Sequence, residues 1–183
     1  MVVSWIILGI LGLIAIMFIY YYNRLVTLSN QIDNSLSQID VQLKKRSDLV
    51  PNLLESVKGY MKHERAVITE VTNARKALLG AKNLESKVKA GAQLETALKS
   101  IFALAENYPQ LKASDTFTHL QQELSAIEDK IAYARQFYND ATLSYNNACT
   151  TFPGTLFASI YHKRAKEFLK IAAEERAVPK VKF

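Results

Sequence analysis

The chain is 183 residues long and carries 23 Lys+Arg against 17 Asp+Glu, for a net charge of +6. Its 6 Gly and 4 Pro are about half the usual share, which fits poorly with a β-sandwich, a propeller, a collagenous chain or a disordered protein. A single cysteine, Cys149, excludes an internal disulfide and a Cys-x-x-Cys metal or redox motif.

The first 23 residues hold no charged side chain. From Val2 to Tyr22, through Val3, Trp5, Ile10 and Ile16, only Ser4 is plainly polar, which is enough chain to cross a hydrocarbon core of ~30 Å. Trp5 at one end and Tyr20, Tyr21 and Tyr22 at the other match the aromatic belts of the two membrane interfaces. A cleaved secretory signal would need a basic start, a shorter apolar run and a small-residue cleavage site, and none is present. Residues 1–23 therefore read as an uncleaved membrane anchor. The nearest basic side chains, Arg24, Lys44, Lys45 and Arg46, all follow the span. They predict an N-terminus outside and the remaining residues inside the cell.

The soluble part reads as helix almost throughout. Tyr21, Leu25, Leu28, Ile32, Leu36, Ile39 and Leu43 recur at three- and four-residue steps, one helical face, with no breaker between them and the span. Proline disfavours helical geometry in the residue before it, so Val50-Pro51 predicts a stop. A second helix is then expected from Pro51 to Gly80, with Leu53, Leu54, Val57, Tyr60, Met61, Ile68, Val71 and Leu78 on its apolar face. A third carries Leu84, Val88, Leu94, Leu98, Ile101, Phe102 and Ala105 and ends before Pro109, with Gly91 a weak point in its middle. The fourth, 115–150, places Phe117, Leu120, Leu124, Ile127, Ile131, Ala134, Tyr138, Ala141, Tyr145 and Ala148 on an unbroken heptad seam. Ser114 or Asp115 can cap its start, and Phe152-Pro153-Gly154 closes it. The expected fold is all-α, a transmembrane helix continuing into an antiparallel bundle of about four long helices. The expected domains are an anchor at 1–23, a helical bundle at 24–154 and a basic amphipathic tail at 155–183.

Helix lengths of ~34 Å for 24–46 and ~54 Å for 115–150 follow from the rise per residue. With successive helices antiparallel, four passes bring the end of the fourth back to the bilayer. The segment that follows mixes Leu156, Phe157, Ile160, Tyr161, Phe168 and Leu169 with Lys163, Arg164, Lys166 and Lys170. Residues 155–183 hold seven Lys+Arg and three Asp+Glu. The four named cations are candidate contacts for anionic lipid headgroups, and the competing reading is a short helix folded on the bundle. Val178 to Phe183 reads as an extended end.

Reactive chemistry is hard to assemble from this chain. His63-Glu64 starts like a zinc-protease helix, but Val67 stands where the second histidine is needed. His119 and His162 have no ligand partner at helical spacing. Cys149 has no neighbouring base to activate it, and phosphate loops and nucleophile elbows are absent. No cofactor, no metal, no catalytic residue and no nucleic-acid partner are expected, since the basic residues form no long tract. A denser polar pattern lies at Asn30, Asn34, Gln38 and Gln42 on the first helix, and at Tyr138-Asn139 and Tyr145-Asn146 on the fourth. Those two pairs stand seven residues apart and face the same way. Such amides can fix register or line a contact between subunits; otherwise they are a solvated face.

Tyr22-Asn23-Arg24-Leu25, Asn30-Gln31-Ile32-Asp33, the run Ser37 to Leu53, Glu55 to Glu64, Tyr108-Pro109-Gln110-Leu111, Ala134 to Ala141 and Phe152-Pro153-Gly154 together resemble the LemA family of bacterial membrane proteins. The resemblance covers nearly the whole chain. It implies a single-pass protein of the bacterial inner membrane with a short external N-terminus and an inward helical bundle. It supplies no activity and no catalytic residue, and it extends to proteins of membrane organelles such as magnetosomes. Two functions are compatible with these features. One is a scaffold in the lipid bilayer that forms a homo-oligomer. The other is an adaptor that recruits a different membrane or signalling protein through Asn30, Asn34, Gln38, Gln42, Asn139 and Asn146.

Overall fold

A chain poor in breakers and rich in three- and four-residue apolar spacing folds as helices. The computed structural model describes residues 1–169 and, among them, six helices and no strand: α1 (Val2–Lys58), α2 (Arg65–Gly80), α3 (Leu84–Ala105), α4 (Pro109–Lys112), α5 (Asp115–Thr150) and α6 (Gly154–Ile160). The chain divides into two compact units. One joins Met1–Ser37 to the chain from Ala134 onward, and the other is Gln38–Tyr133. The boundaries expected at 23/24 and 154/155 both fall inside the first of these units.

The unit Gln38–Tyr133 is built from the end of α1, all of α2, α3 and α4, and the start of α5. Its centre is apolar: Ile39, Val50, Leu53, Val57, Met61, Val71, Leu94, Ala97, Ile101 and Leu111 are fully buried. Along α1 and α3 the contacts climb together. Asp40 meets Lys87 at 2.6 Å, and Arg46 meets the Gly91 carbonyl and Glu95, each at 3.5 Å. Along α3 and α5 they run oppositely, from Lys99–Glu128 at 3.1 Å to the Phe102–Phe117 ring pair at 6.0 Å. This is the alternation expected of an up-down bundle. Gly91 serves a close approach rather than a weak point: a Cβ there would stand 2.8 Å from the tip of Leu43. Asn83 and Ser86 form a reciprocal capping box that starts α3, satisfying backbone donors that the helix leaves open.

The stop expected at Val50-Pro51 is not there. Pro51 lies inside α1, which runs on to Lys58, and the break comes at Gly59–Glu64 instead. A mid-helix proline removes the hydrogen bond to the carbonyl four residues back and usually kinks the helix. Here that carbonyl, Ser47 O, accepts from Arg75 Nε of α2 at 2.8 Å. The orphaned acceptor is satisfied from a neighbouring helix, so much of the usual cost of Pro51 is offset.

In the other unit, Leu25, Ile32 and Ser35 of α1 are buried, as are Ala134, Tyr138, Ala141, Thr142, Tyr145, Ala148 and Cys149 of α5. All ten residues of the heptad seam named from the sequence are buried across α5. At the end of α5 the chain turns sharply into α6 at Pro153, after a cis Phe152–Pro153 bond. Gly154 is required at this turn. A Cβ on it would lie 2.1 Å from the carbonyl oxygen of Ala148, with backbone as the obstacle.

Candidate functional site

The apolar stretch at the start of α1 is long enough to cross a membrane, and none of its most apolar window is buried inside the chain. Val3, Trp5, Ile10, Ile16, Tyr20 and Tyr22 are all exposed. An apolar helix exposed all round needs a cover other than water.

At the C-terminal end of this stretch α6 packs on α1 through aromatic rings. Phe157 stacks on Tyr21 with centroids 4.7 Å apart and meets Phe18 edge-on at 4.9 Å. Tyr161 meets Tyr22 at 5.3 Å and donates its hydroxyl to the Phe18 carbonyl at 2.8 Å. While Phe157 and Ala158 are buried by this packing, Phe152, Leu156 and Ile160 stay exposed. Within this unit the chain thus comes back beside Tyr21 and Tyr22. The segment after it differs from an amphipathic helix: α6 stops at Ile160, residues 163–169 have no regular secondary structure, and the step from Lys166 to Leu169 spans one heptad of α5, as extended chain does.

That extended strap lies along α5. The Asn146 side chain accepts from the Lys166 N–H at 2.8 Å and donates to the Lys166 carbonyl at 2.9 Å. One heptad earlier, Asn139 treats Leu169 the same way, at 2.9 and 3.3 Å. Between them the Tyr138 hydroxyl donates to the Glu167 carbonyl at 3.0 Å. The Lys166 ammonium donates to Ser29 Oγ at 3.0 Å, lies 3.8 Å from Asp33 Oδ1 and sits 5.3 Å from the Tyr145 ring centroid. Burial, with Cys149 adjacent, pushes the Tyr145 phenol up to about 12. Burial likewise raises the Cys149 thiol, so Cys149 is a packed thiol rather than a nucleophile.

In the unit Gln38–Tyr133 the notable polar group is Arg46, 1% exposed. It heads a chain of charges from Arg46 to Glu95, Lys99 and Glu128, which lines a cleft of about 200 Å³ with Phe102 and Gln121. Burial alone would raise the Glu95 carboxyl, but Lys99, Glu128 and Arg46 outweigh it and hold the group below its usual range. The Lys99 ammonium is raised in turn, chiefly by its hydrogen bond to Glu95. Arg46 and Lys99 are paired with Glu95 and Glu128 along this cleft. Among the described residues no three His, Cys, Asp or Glu side chains converge as metal ligands.

The residues named from the sequence fall into three groups. Asn30, Asn34 and Gln38 are exposed, while Gln42 is half-buried with its carbonyl oxygen enclosed and without a partner. Asn139 and Asn146 are engaged by the strap. Of the four candidate headgroup cations, Lys163 and Arg164 are exposed and Lys166 is held inside its own unit. Lys170 and the end at Val178 to Phe183 lie outside the described residues. Sequence reasoning missed Arg46, Arg75, Ser29 and Asp33. Arg46 was read as a topology signal after the span, although its position three residues beyond Leu43 on the buried stripe could have marked it.

An N-terminal apolar span, an all-helical body and a second apolar turn beside the C-terminal end of that span define a membrane-associated helical protein. The LemA family model matches residues 35–183, and the chain belongs to the LemA family. Similar proteins include magnetosome protein MamQ 2 of Paramagnetospirillum magneticum, 27% identical over 174 residues, 80% of this chain and 64% of the relative. Magnetosome protein MamQ of Magnetospirillum gryphiswaldense is 24% identical over 165 residues, with 76% and 61% covered. Protein LemA of Metamycoplasma hominis is 27% identical over 143 residues, with 78% and 65% covered. The chain thus spans a little under two thirds of the length of these relatives.

Proposed function

We propose that this protein is a non-enzymatic scaffold anchored in the bacterial inner membrane, its bundle on the cytoplasmic side, which self-associates to organise that membrane. The observation that carries the reading is the pairing of an uncovered apolar span with an uncovered apolar face of α6 at the inner end of that span. One traverses the bilayer and the other rests on its surface, beside the tyrosines that favour the interface. The basic side chains Lys163 and Arg164 follow immediately, where anionic headgroups would favour them. The relatives named as magnetosome proteins carry no enzyme name, which supports the non-enzymatic reading, and the exposed amides Asn30 and Asn34 offer a polar contact between neighbours.

The test is co-extraction of two differently tagged full-length copies expressed in one membrane. Capture of one tag by the other in mild detergent is the expected result. Recovery of each copy alone, with the chains intact, would overturn self-association and leave recruitment of a different protein through the polar face as the working alternative.

A further inference from the structure

The strap along α5 is held by an arrangement that reads main chain. Two asparagines one heptad apart are separated by about 10.5 Å along a helix. Three residues of extended chain cover about 10 Å. Asn146 and Asn139 therefore meet Lys166 and Leu169 in register, and each closes a two-bond ring with one residue's N–H and C=O. Tyr138 adds a bond to the carbonyl of Glu167. None of these five bonds depends on a side chain of the strap. Selectivity enters at one place, where the hydroxyl of Ser29, the carboxylate of Asp33 and the face of Tyr145 surround the Lys166 ammonium. A cation between a carboxylate and an aromatic face is held by charge and by the ring quadrupole together.

We propose that this face of α5, completed by Ser29 and Asp33, is a receptor for an extended lysine-bearing segment, and that in the assembled protein the segment it takes is the strap of a second copy of this chain. The strap in its own groove is then the tethered form of the same contact. Every bond between groove and strap is remade when the strap comes from a neighbour, so exchange gives up no contact. The tether leaves α6 through a Schellman turn: Lys163 N–H donates to Ala158 O at 2.8 Å and His162 N–H to Ser159 O at 3.1 Å. His162 stands at its left-handed position with φ 52. That conformation suits glycine and costs most other residues, and it sets the bend between α6 and the strap at this one residue. Copies anchored in one bilayer in the same orientation hold groove and strap at matching depth, which raises their effective concentration for each other. Each copy owns one groove and one strap, and a reciprocal exchange between two copies closes without leaving either unfilled.

This inference rests on the self-association proposed above, and two measurements on the full chain separate the two. The first addresses the groove. Lys166→Glu with Leu169→Pro disables the strap, by placing a carboxylate near Asp33 and removing the N–H that Asn139 accepts. A labelled synthetic peptide of residues 163–169 should bind this variant, bind wild type far more weakly, and lose binding when Asn139→Ala and Asn146→Ala are added. Absence of peptide binding to the strap-disabled chain, with its helicity unchanged by circular dichroism, overturns the receptor.

The second addresses the occupant. A photo-reactive benzoylphenylalanine in place of the exposed Phe168 should, on irradiation in membranes, crosslink mainly to the α5 segment of another copy, giving a dimer-mass adduct. Adducts confined to single-chain mass, in a sample whose tagged copies still co-extract, overturn the exchange while self-association stands. Failure of wild-type copies to co-extract overturns both.

Discussion

The two compact units hold themselves together in different currencies. In Gln38–Tyr133 side-chain packing dominates, through an apolar seam and a buried arginine paired with a carboxylate, and contacts to backbone carbonyls at Ser47 and Gly91 support it. In the other unit the decisive contacts are to backbone. Asn139 and Asn146 clasp main chain, Tyr161 bonds the Phe18 carbonyl, and Gly154 is needed because a carbonyl stands where a Cβ would be. Side-chain packing resists substitution at many positions, whereas backbone contacts concentrate the risk in a few and leave the segment they hold exchangeable.

The sharpest way to break the unit Gln38–Tyr133 is Ile131→Asp. Ile131 is 2% exposed in the middle of the seam, and a carboxylate there has no partner to repay its desolvation. A loss of about 4 kcal/mol or more is expected, read as collapse of the thermal transition followed by circular dichroism; an unchanged transition would remove Ile131 from the core.

Glu95→Ala removes a carboxylate that pairs with the buried Arg46 and should cost about 3 kcal/mol, as breaking buried ion pairs does. The same pair predicts a pH dependence. The folded carboxyl lies below its ordinary 4.5, so its contribution is complete above that value and drains away as pH falls through the lowered one. The melting temperature of wild type should therefore drop on acidification below about 4.5 more steeply than that of Glu95→Ala. Parallel curves would assign no role to the pair.

For the unit that holds α6, Gly154→Ala forces a Cβ against backbone and should cost about 3 kcal/mol. The loss should be local: hydrogen exchange across 155–169 should speed up while protection in α2 and α3 is kept. Uniform loss of protection would mean that the two regions do not differ as described. The smallest effect belongs to Arg75→Ala, which strands the Ser47 carbonyl beside Pro51. A loss of about 1–2 kcal/mol is expected, with Pro51→Ala restoring most of it in the double variant because the proline no longer frees that acceptor. Full additivity of the two changes would disprove the compensation.

The same contrast decides what could be read from the residues alone. The heptad of α5 was visible because side-chain periodicity is what a helix face imposes, and its ten positions are buried as the spacing requires. The apolar helix at the N-terminus was visible as an unbroken uncharged run, and the packing of α6 against Tyr21 and Tyr22 is where counting passes would bring the chain. Pro51 misled because the rule for proline is local and its remedy, Arg75, lies 24 positions further along. The Tyr138-Asn139 and Tyr145-Asn146 repeat stood out, yet its partner was silent. Asparagines that grip main chain impose no pattern on the segment they grip, so nothing in residues 163–169 announces the contact except a lysine whose acidic partner lies on another helix. The buried Arg46 was obscured by its two basic neighbours, Lys44 and Lys45, which are exposed.

The most direct measurement of the central claim is the particle mass of the full-length chain in mild detergent. A self-associating scaffold predicts a discrete species at a whole multiple of the 20.6 kDa chain, present at the lowest concentration that can be measured. A species of one chain at every concentration would contradict it.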